Sequence, residues 1–302
     1  MQPDPTELNQ RFPEPSLTFD KGEGGLTRCQ VHNQWAQAEF YLQGAHLTRY
    51  QKHHSLPLLW LSHQAVYALN HPIRGGLPIC WPWFNQHASG NPAFPQHGFA
   101  RTHQWSLRAV LETDNGTEIF LGFTSTPATQ RWLPGEFDAR YRISVGPTLS
   151  VEFSVTNTGE HSLNEIGCAL HTYFSISQIN EVIVTGLEGL DYLDQLDGLK
   201  KNQRGALKFN QETDRIYLQT QPRAIQIKDT GNRQKLDIQS QGSHSTVIWN
   251  PWKHKSTVMP DFPDQGYQTM ICIETANAFE DTRTIEPGAT HSISQTIQSF
   301  EL

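Results

Sequence analysis

The sequence predicts an all-β protein, built as a large antiparallel sandwich with few short helices. Three observations support this prediction. Apolar and polar residues alternate with period two in many short segments. Gly, Pro, Asn and Asp bound these segments, as turns between strands require. Helical periodicity is scarce, and strands do not alternate with helices, so sheets packed face to face are favoured over a parallel α/β fold.

The alternating segments recur from about residue 25 to the C-terminus. One is interrupted at Gly44, another ends at Gly146-Pro147, and a third ends at Asn157-Thr158-Gly159. The apolar residues that share a face in these segments are Ala36, Ala38, Phe40 and Leu42, then Ile119, Leu121 and Phe123, then Ile143 and Val145, then Val151, Phe153 and Val155. A single short helical turn is predicted over residues 128–133, closed by Pro134-Gly135.

The chain is predicted to form one domain. Its 302 residues could make one large domain or two ordinary ones. No internal repeat, low-complexity segment or linker divides it. We therefore expect a single β-sandwich domain over residues 25–302, preceded by a looser lead-in, rich in Pro and polar residues, over residues 1–24.

Composition excludes several classes of partner. The formal net charge of −7 argues against a nucleic-acid or anionic-membrane partner. No run of about 18 apolar residues is present, so no membrane span is expected. The N-terminus lacks the features of a signal peptide. The four cysteines, far apart and without a C-x-x-C pair, disfavour a disulfide framework or zinc site. We expect a cytoplasmic protein, with a monomer as the default oligomeric state.

The most informative stretch places two arginines, a glutamine and a histidine among glycines, prolines and tryptophans. Residues 73–84 read IRGGLPICWPWF, and residues 95–101 read PQHGFAR. The Gly75-Gly76 pair allows close backbone approach, and the prolines restrict the loop. A rigid loop that presents Arg74 and Arg101 beside aromatic surface suits a small anionic, ring-shaped ligand such as a sugar phosphate.

His171 is a candidate functional residue. A strand over residues 166–174 places Gly167, Ala169 and His171 on the same face. The two small residues leave open space beside the imidazole, as the floor of a ligand site requires. The same pattern also fits a hydrogen-bonded histidine in the core, and the residues alone leave both interpretations open.

Glu274 is a second candidate. It ends a strand-like segment, residues 270–274, whose two faces are both apolar, which is typical of an interior strand. A buried carboxylate is costly unless it is paired or functional, and burial raises its pKa and makes it a better proton acceptor near neutrality. Alternatively, the side chain lies at a strand end and reaches water.

Other polar and aromatic segments are ambiguous. Asp214, in the segment ETDRIY, could orient a sugar hydroxyl or could be a solvated loop charge beside Arg215. The aromatic clusters at residues 81–84 and 249–252 could stack on a pyranose ring or could serve core packing. None of these segments decides a function by itself.

The sequence contains no motif for a cofactor. The 14 histidines show no H-x-H or H-x-x-x-H spacing of the kind found in metal sites. Neither of the glycine-rich nucleotide-binding motifs is present. We therefore expect neither a metal nor an organic cofactor.

Taken together, eight segments resemble the aldose 1-epimerase (galactose mutarotase-like) superfamily, and specifically its hexose-6-phosphate 1-epimerase branch. The resemblance covers roughly residues 25–297. In chain order the segments are GAH (44–46), LWLS (59–62), RGGLPICWPWF (74–84), PQHGFAR (95–101), ALHTYF (169–174), ETDRIY (212–217), WNPW (249–252) and IE (273–274). One minor departure, outside the proposed catalytic groups, is Phe84-Asn85, where relatives often carry Phe-Gly.

The resemblance implies a β-supersandwich whose concave sheet holds the sugar. It also implies an isomerase that interconverts the α and β anomers of glucose 6-phosphate without a metal or organic cofactor. By similarity, His171 is the general acid and Glu274 the general base. The positions that match the family's substrate-binding residues are Arg74, Gln96, Arg101 and Asp214, and His97 lies where related epimerases place a second histidine that faces the ring.

Three alternatives remain open from the sequence. The first is an aldose 1-epimerase that prefers unphosphorylated sugars. The second is a non-catalytic carbohydrate-binding or sugar-sensing sandwich, which needs no acid and base pair. The third is a glycoside hydrolase, which requires two carboxylates flanking the scissile bond. The His171 and Glu274 pair does not match that requirement, although Asp214 with Glu274 could mimic it.

Overall fold

A computed structural model describes residues 2–220 and 224–302. These residues form two α-helices, α1 (Pro5–Arg11) and α2 (Trp252–Val258), and 22 strands. The first eleven strands are β1 (Leu17–Lys21), β2 (Thr27–His32), β3 (Ala36–Tyr41), β4 (His46–Lys52), β5 (Ile79–Cys80), β6 (Ser106–Thr113), β7 (Gly116–Thr124), β8 (Phe137–Val145), β9 (Leu149–Asn157), β10 (Leu163–Ile166) and β11 (Cys168–Leu170). The others are β12 (Tyr173–Ser175), β13 (Val182–Thr185), β14 (Asp191–Asp194), β15 (Leu199–Asn202), β16 (Thr213–Leu218), β17 (Ile225–Asp229), β18 (Gln234–Gln241), β19 (Ser245–Asn250), β20 (Met270–Asn277), β21 (Arg283–Ile285) and β22 (Thr290–Glu301).

Two eight-stranded sheets dominate the architecture. The first, called the site sheet below, has the order β15-β14-β16-β19-β20-β11-β5, with β12 also paired to β20. The second, called the outer sheet, has the order β13-β17-β18-β22-β9-β8-β7-β6. A four-stranded sheet, β1-β2-β3-β4, and the pair β10-β21 complete the described fold. All pairs between these strands are antiparallel, which confirms the predicted all-β antiparallel class.

The two large sheets share one apolar core. Ile271 and Ile273 of β20 belong to the same buried cluster as Phe153 of β9. Fully burying a side chain of this size contributes roughly 1.5–3 kcal/mol. A buried polar contact also joins the sheets, because the hydroxyl of Thr172 donates to Oε1 of Gln295 on β22 at 2.6 Å. One face of the site sheet therefore packs against the outer sheet, and the opposite face is available to bind a ligand.

The period-two segments of the sequence correspond to strands β3, β7, β8 and β9, with their apolar residues buried. Residues 126–133 contain two helix-like hydrogen bonds, from Gln130 N–H to the Thr126 carbonyl (2.9 Å) and from Leu133 N–H to the Thr129 carbonyl (3.0 Å), but no described helix. The described helices have seven residues each. None is long and apolar enough to cross a membrane.

Regular structure starts before residue 25. The side chain of Asp4 caps α1 by accepting from the Thr6 N–H at 2.8 Å. Strand β1 then pairs with β2, and its alternate residues Leu17 and Phe19 are buried in the main core. The lead-in therefore contributes helix α1 to the fold and edge strand β1 to the four-stranded sheet.

Strand β20 is longer than the sequence predicts. It continues past Glu274 to Asn277, and all eight residues are buried. The polar and small residues after Glu274 carry no apolar alternation, but β19 and β11 pair with them on either side. Glu274 therefore lies inside a central strand rather than at its end.

Candidate active site

All seven predicted site residues line one cavity on the face of the site sheet that points away from the core. Its volume is about 280 Å³, near the lower end of the ~300–1,000 Å³ typical of small-molecule sites. The cavity is lined by Arg74, Phe84, Asn85, Gln96, His97, Arg101, His171, Tyr173, Asp214, Val247, Trp249, Lys255, Met259 and Glu274.

Strand pairing brings His171 and Glu274 together. His171 follows directly after β11, and β11 pairs with β20 in a register that places Leu170 opposite Thr275. Nδ1 of His171 lies 3.4 Å from Oε1 of Glu274. The two residues are 7% and 1% exposed. The imidazole stacks on the Tyr173 ring, with centroids 4.8 Å apart and an interplanar angle of 5°, and this contact orients it.

Burial shifts the pKa values of this pair in opposite directions. It lowers the pKa of His171 well below its ordinary value, and the charges of Arg101 and Arg74 lower it further. It raises the pKa of Glu274 well above its ordinary value, with a further increase from Asp214. Both shifts favour the uncharged forms of the two groups, and they make the carboxylate a stronger base and the imidazolium a stronger acid whenever those charged forms are present. The pair is chemically suited to moving protons through a ligand.

Arg74 is held in place by two partners. Its Nε donates to Oδ2 of Asp261 at 3.1 Å, and its Nη1 donates to the Tyr173 hydroxyl at 3.1 Å. Asp261 is itself buried, and its backbone carbonyl accepts from the Ser62 hydroxyl at 2.6 Å. Asp261 therefore orients the guanidinium of Arg74 and offsets part of its charge.

Arg101 lacks such a partner. Its Nη2 donates to the backbone carbonyl of Gln96 at 2.8 Å. Within residues 2–220 and 224–302, no carboxylate lies within ion-pair distance of its guanidinium. Burial lowers the pKa of Arg101, and the neighbouring charge of Arg74 lowers it further. A desolvated cation without a counter-charge favours an anionic ligand.

His97 is locked in one tautomer by Asn85. The backbone N–H of His97 donates to the Asn85 carbonyl at 2.7 Å, and the backbone N–H of Asn85 donates to the ring Nδ1 of His97 at 3.1 Å. Because a backbone N–H can only donate, Nδ1 accepts and the ring proton lies on Nε2. Burial, followed by the charge of Arg101, lowers the pKa of His97 well below its ordinary value. His97 thus offers a neutral N–H donor.

Asp214 belongs to a polar network that crosses the cavity. The side-chain amide of Gln195 donates to its Oδ1, and the side-chain amide of Asn85 donates to Oε1 of Gln195 at 2.5 Å. Lys255 of α2 lies 3.9 Å from its Oδ2 and 3.2 Å from Oε1 of Glu212. Burial raises the pKa of Asp214 to about 6, although Lys255 and Gln195 oppose the shift. Asp214 is therefore a fixed acceptor.

Two of the alternative interpretations of single residues are wrong. Glu274 does not reach water, since it is 1% exposed within a central strand. Asp214 is not a solvated loop charge, because it lies on β16 and lines the cavity. The aromatic clusters divide between both roles: Trp81 is fully buried in the core, whereas Trp249 lines the cavity.

Several residues that line or support the cavity are not predicted from the sequence. Tyr173 had a usable signal, because it follows His171 by two positions in the ALHTYF segment. Asn85, expected to be a minor difference outside the catalytic groups, lines the cavity. Its φ of 62° is a conformation that asparagine and glycine both adopt, so either residue can occupy this position. Lys255 and Asp261 carried no signal, because only folding brings them to the site.

Two glycines allow the segments that carry Arg74 and His97, residues 73–84 and 95–101, to lie close against neighbouring backbone. Gly75 has φ of 103°, and a Cβ there would be 2.6 Å from the Trp60 carbonyl oxygen. Gly98 has φ of 70°, and a Cβ there would be 2.0 Å from the Trp81 carbonyl oxygen. Side chains at these positions would displace Arg74 and His97, which are their immediate neighbours.

The fold and the site define a carbohydrate epimerase of the mutarotase class. The crystal structure of a "putative mutarotase" from Salmonella typhimurium superimposes with a TM-score of 0.88 and 32% identity, covering 95% of each chain. A galactose mutarotase-like protein from Clostridium acetobutylicum has the same fold, with a TM-score of 0.72 over 95% of this chain and 98% of that one, at 11% identity.

Residues 28–298 match the aldose 1-epimerase family, and the chain belongs to that family. A "Putative glucose-6-phosphate 1-epimerase" from Cenchrus ciliaris is 35% identical over 289 residues, which cover 92% of this chain and 86% of that protein. The family resemblance drawn from the eight sequence segments is confirmed.

Proposed function

We propose that this protein is a hexose-6-phosphate 1-epimerase that interconverts the α and β anomers of glucose 6-phosphate. The observation that carries the proposal is one cavity that combines the His171–Glu274 pair with two guanidinium groups, one of them without a counter-charge. The relative from Cenchrus ciliaris, by its name, supports the same substrate.

The proximity of His171 and Glu274 suits the reaction. Anomer exchange requires removal of the proton from the C1 hydroxyl and delivery of a proton to the ring oxygen. Because both oxygens are bonded to C1, the base and the acid must be neighbours, as these two groups are at 3.4 Å. Each well-placed proton transfer typically contributes ~10²–10⁴-fold to the rate.

The proposed cycle begins with Glu274 taking the proton of the C1 hydroxyl while His171 gives a proton to the ring oxygen. The C1–ring oxygen bond breaks, and C1 becomes an aldehyde carbon. Rotation about C1–C2 presents its other face to the C5 hydroxyl. Ring closure then runs the two transfers in reverse, so the enzyme returns to its starting protonation state without any oxidant or reductant.

The arginines serve as the phosphate anchor in this proposal. Charge-assisted bonds from Arg74 and Arg101 hold the part of the substrate that does not react. Asp214 accepts from ring hydroxyls, and the Nε2–H of His97 is available to donate to another. Gln96, whose backbone carbonyl accepts from Arg101, lies at the cavity edge and is proposed as a further substrate contact.

Exchange spectroscopy by NMR on glucose 6-phosphate tests the catalytic pair. Glu274→Gln retains the shape of the side chain but cannot accept the proton, so exchange should fall to the spontaneous rate measured without protein. His171→Ala should behave in the same way. Glu280→Gln is the matched control, because Glu280 is an exposed carboxylate that pairs with Lys200 outside the cavity.

Near-normal exchange in Glu274→Gln would remove Glu274 as the base, and a full rate in His171→Ala would reassign the acid. If wild-type protein binds the sugar but gives only the spontaneous rate, the non-catalytic carbohydrate-binding alternative replaces this proposal.

A further inference from the structure

The catalytic pair has a third neighbour that anomer exchange does not use. Cys272 lies two residues before Glu274 on β20, so both side chains emerge on the same face of the strand. A ring nitrogen of His171, the Sγ of Cys272 and a carboxylate oxygen of Glu274 all lie within 4.8 Å of one another. Cys272 is a free thiol with no exposed surface.

Two polar atoms of this cluster are buried without hydrogen-bond partners among the described residues. They are Nδ1 of His171 and Oε2 of Glu274. A buried polar atom without a partner is costly, and native structures rarely leave one unless a catalytic role, a water or an ion accounts for it. The unpartnered atoms come from the two cluster residues that also line the cavity, which gives a ligand a route of entry.

The geometry fits a tetrahedral cation. Zinc bonds of about 2.0–2.2 Å to nitrogen and oxygen imply a separation of about 3.4 Å between two such ligands. The distance between Nδ1 of His171 and Oε1 of Glu274 is 3.4 Å. A zinc–sulfur bond of about 2.3 Å implies a sulfur-to-nitrogen separation of about 3.6 Å, so the cluster needs to contract by only about 1 Å from its 4.8 Å limit.

We propose that His171, Cys272 and Glu274 form an inhibitory site for a zinc-like divalent cation. Imidazole and thiolate are ligands that select such metals over magnesium or calcium. The cation displaces the thiol proton of Cys272, and the carboxyl proton of Glu274 where present, into solvent. A thiolate and a carboxylate together neutralise the charge of the cation. Asp261 offsets Arg74, whereas Arg101 keeps its charge in the same cavity.

Occupation of this site excludes the sugar reaction, because the metal takes the nitrogen and oxygen atoms of the proposed acid and base. The fourth coordination position opens to the cavity, as in sites with three protein ligands. The inhibitory consequence rests on the proposed function, whereas metal binding itself does not.

Absorption spectroscopy with Co²⁺ tests the site on the intact protein without sugar. Wild-type protein should show a sulfur-to-cobalt charge-transfer band with one equivalent of Co²⁺, and Zn²⁺ should displace it. Cys272→Ser should lose the band and weaken Zn²⁺ binding by at least the ~10–100-fold that changes around metal ligands cost. Cys29→Ser is the matched control, because Cys29 is equally buried but lies on β2 in the four-stranded sheet.

Anomer exchange provides the second measurement. Zn²⁺ should raise the apparent KM for glucose 6-phosphate in wild-type protein and Cys29→Ser, but not in Cys272→Ser. Absence of a sulfur band in wild-type protein overturns the proposal, even if Cys272→Ser fails to fold. Equal Zn²⁺ affinity of Cys272→Ser and Cys29→Ser overturns it too. A sulfur band in a protein that lacks mutarotase activity would leave the metal site standing and refute the proposed function alone.

Discussion

Replacing Arg101 by methionine should separate phosphate recognition from sugar chemistry. Methionine retains an apolar stem of similar length but removes the guanidinium. Arg101 is the better choice of the two arginines, because Arg74 is tied to Asp261 and Tyr173 and its loss would disturb both. The Arg101 guanidinium donates to the Gln96 backbone carbonyl and has no described carboxylate partner.

The expected loss is confined to the phosphorylated substrate. A hydrogen bond to a charged group contributes about 1.5–3 kcal/mol, which corresponds to roughly 10–150-fold in kcat/KM at 1.4 kcal/mol per tenfold. We expect a loss in this range for glucose 6-phosphate and no loss for glucose. The thermal midpoint should change little, because Arg101 is only half-buried and its guanidinium has no described ion-pair partner to lose.

The assay compares kcat/KM for both sugars by NMR exchange, with the spontaneous rate subtracted. Arg108→Met serves as the control, since Arg108 pairs with Asp138 on the outer sheet. Thermal unfolding with and without glucose 6-phosphate gives a second readout, because a ligand that binds only the folded state raises the midpoint. That rise should be reduced in Arg101→Met.

Equal losses for glucose and glucose 6-phosphate would refute the reasoning, since the guanidinium would then act on the sugar or on the fold. Equal wild-type rates for the two sugars, with no loss in Arg101→Met, would favour the alternative of an aldose 1-epimerase for unphosphorylated sugars.

Three further predictions concern the residues around the anchor. Asp261→Asn should raise KM for glucose 6-phosphate more than it lowers kcat, because it frees Arg74 without touching the acid and base; an unchanged KM would show that Arg74 needs no support. The second prediction uses glucose as substrate, which avoids the phosphate's own pKa near 6. KM should rise as pH falls through about 6, because burial raises the pKa of Asp214 to about 6 and the protonated carboxyl stops accepting hydrogen bonds from the sugar. The rise in KM should be absent in Asp214→Asn, and a rise that persists there would belong to another group. Asn85→Gly should fold normally, because both residues adopt the φ of 62°, but should weaken sugar binding by loss of the amide that holds Gln195; unaltered binding would exclude that network from substrate orientation.

The fold was predictable because strand alternation is local. Strands β7, β8 and β9 carry the period-two pattern through most of their length, and their apolar faces are buried as the pattern requires. The end of β20 was not predictable in this way. Residues after Glu274 are small or polar, and their burial depends on neighbouring strands that are distant in the sequence.

The candidate site was predictable only where residues lie within recognisable segments. His171 and Glu274 belong to two such segments, and pairing of β11 with β20 brings them together. Asp261 and Lys255 belong to no segment of this kind. The contact between Asp261 and Arg74 joins positions 187 residues apart, and a local sequence pattern cannot predict a contact over that separation.

The arrangement of charges links phosphate binding to proton transfer in the proposed mechanism. The guanidinium groups of Arg101 and Arg74 lower the pKa of His171, in addition to the effect of burial. A phosphate dianion bound between them would cancel these charges and make the imidazole easier to protonate when it must deliver a proton. An unphosphorylated sugar would leave both charges in place. Selection for the phosphate would therefore act on kcat as well as on KM, because the same cations that hold the substrate also set the proton affinity of the acid.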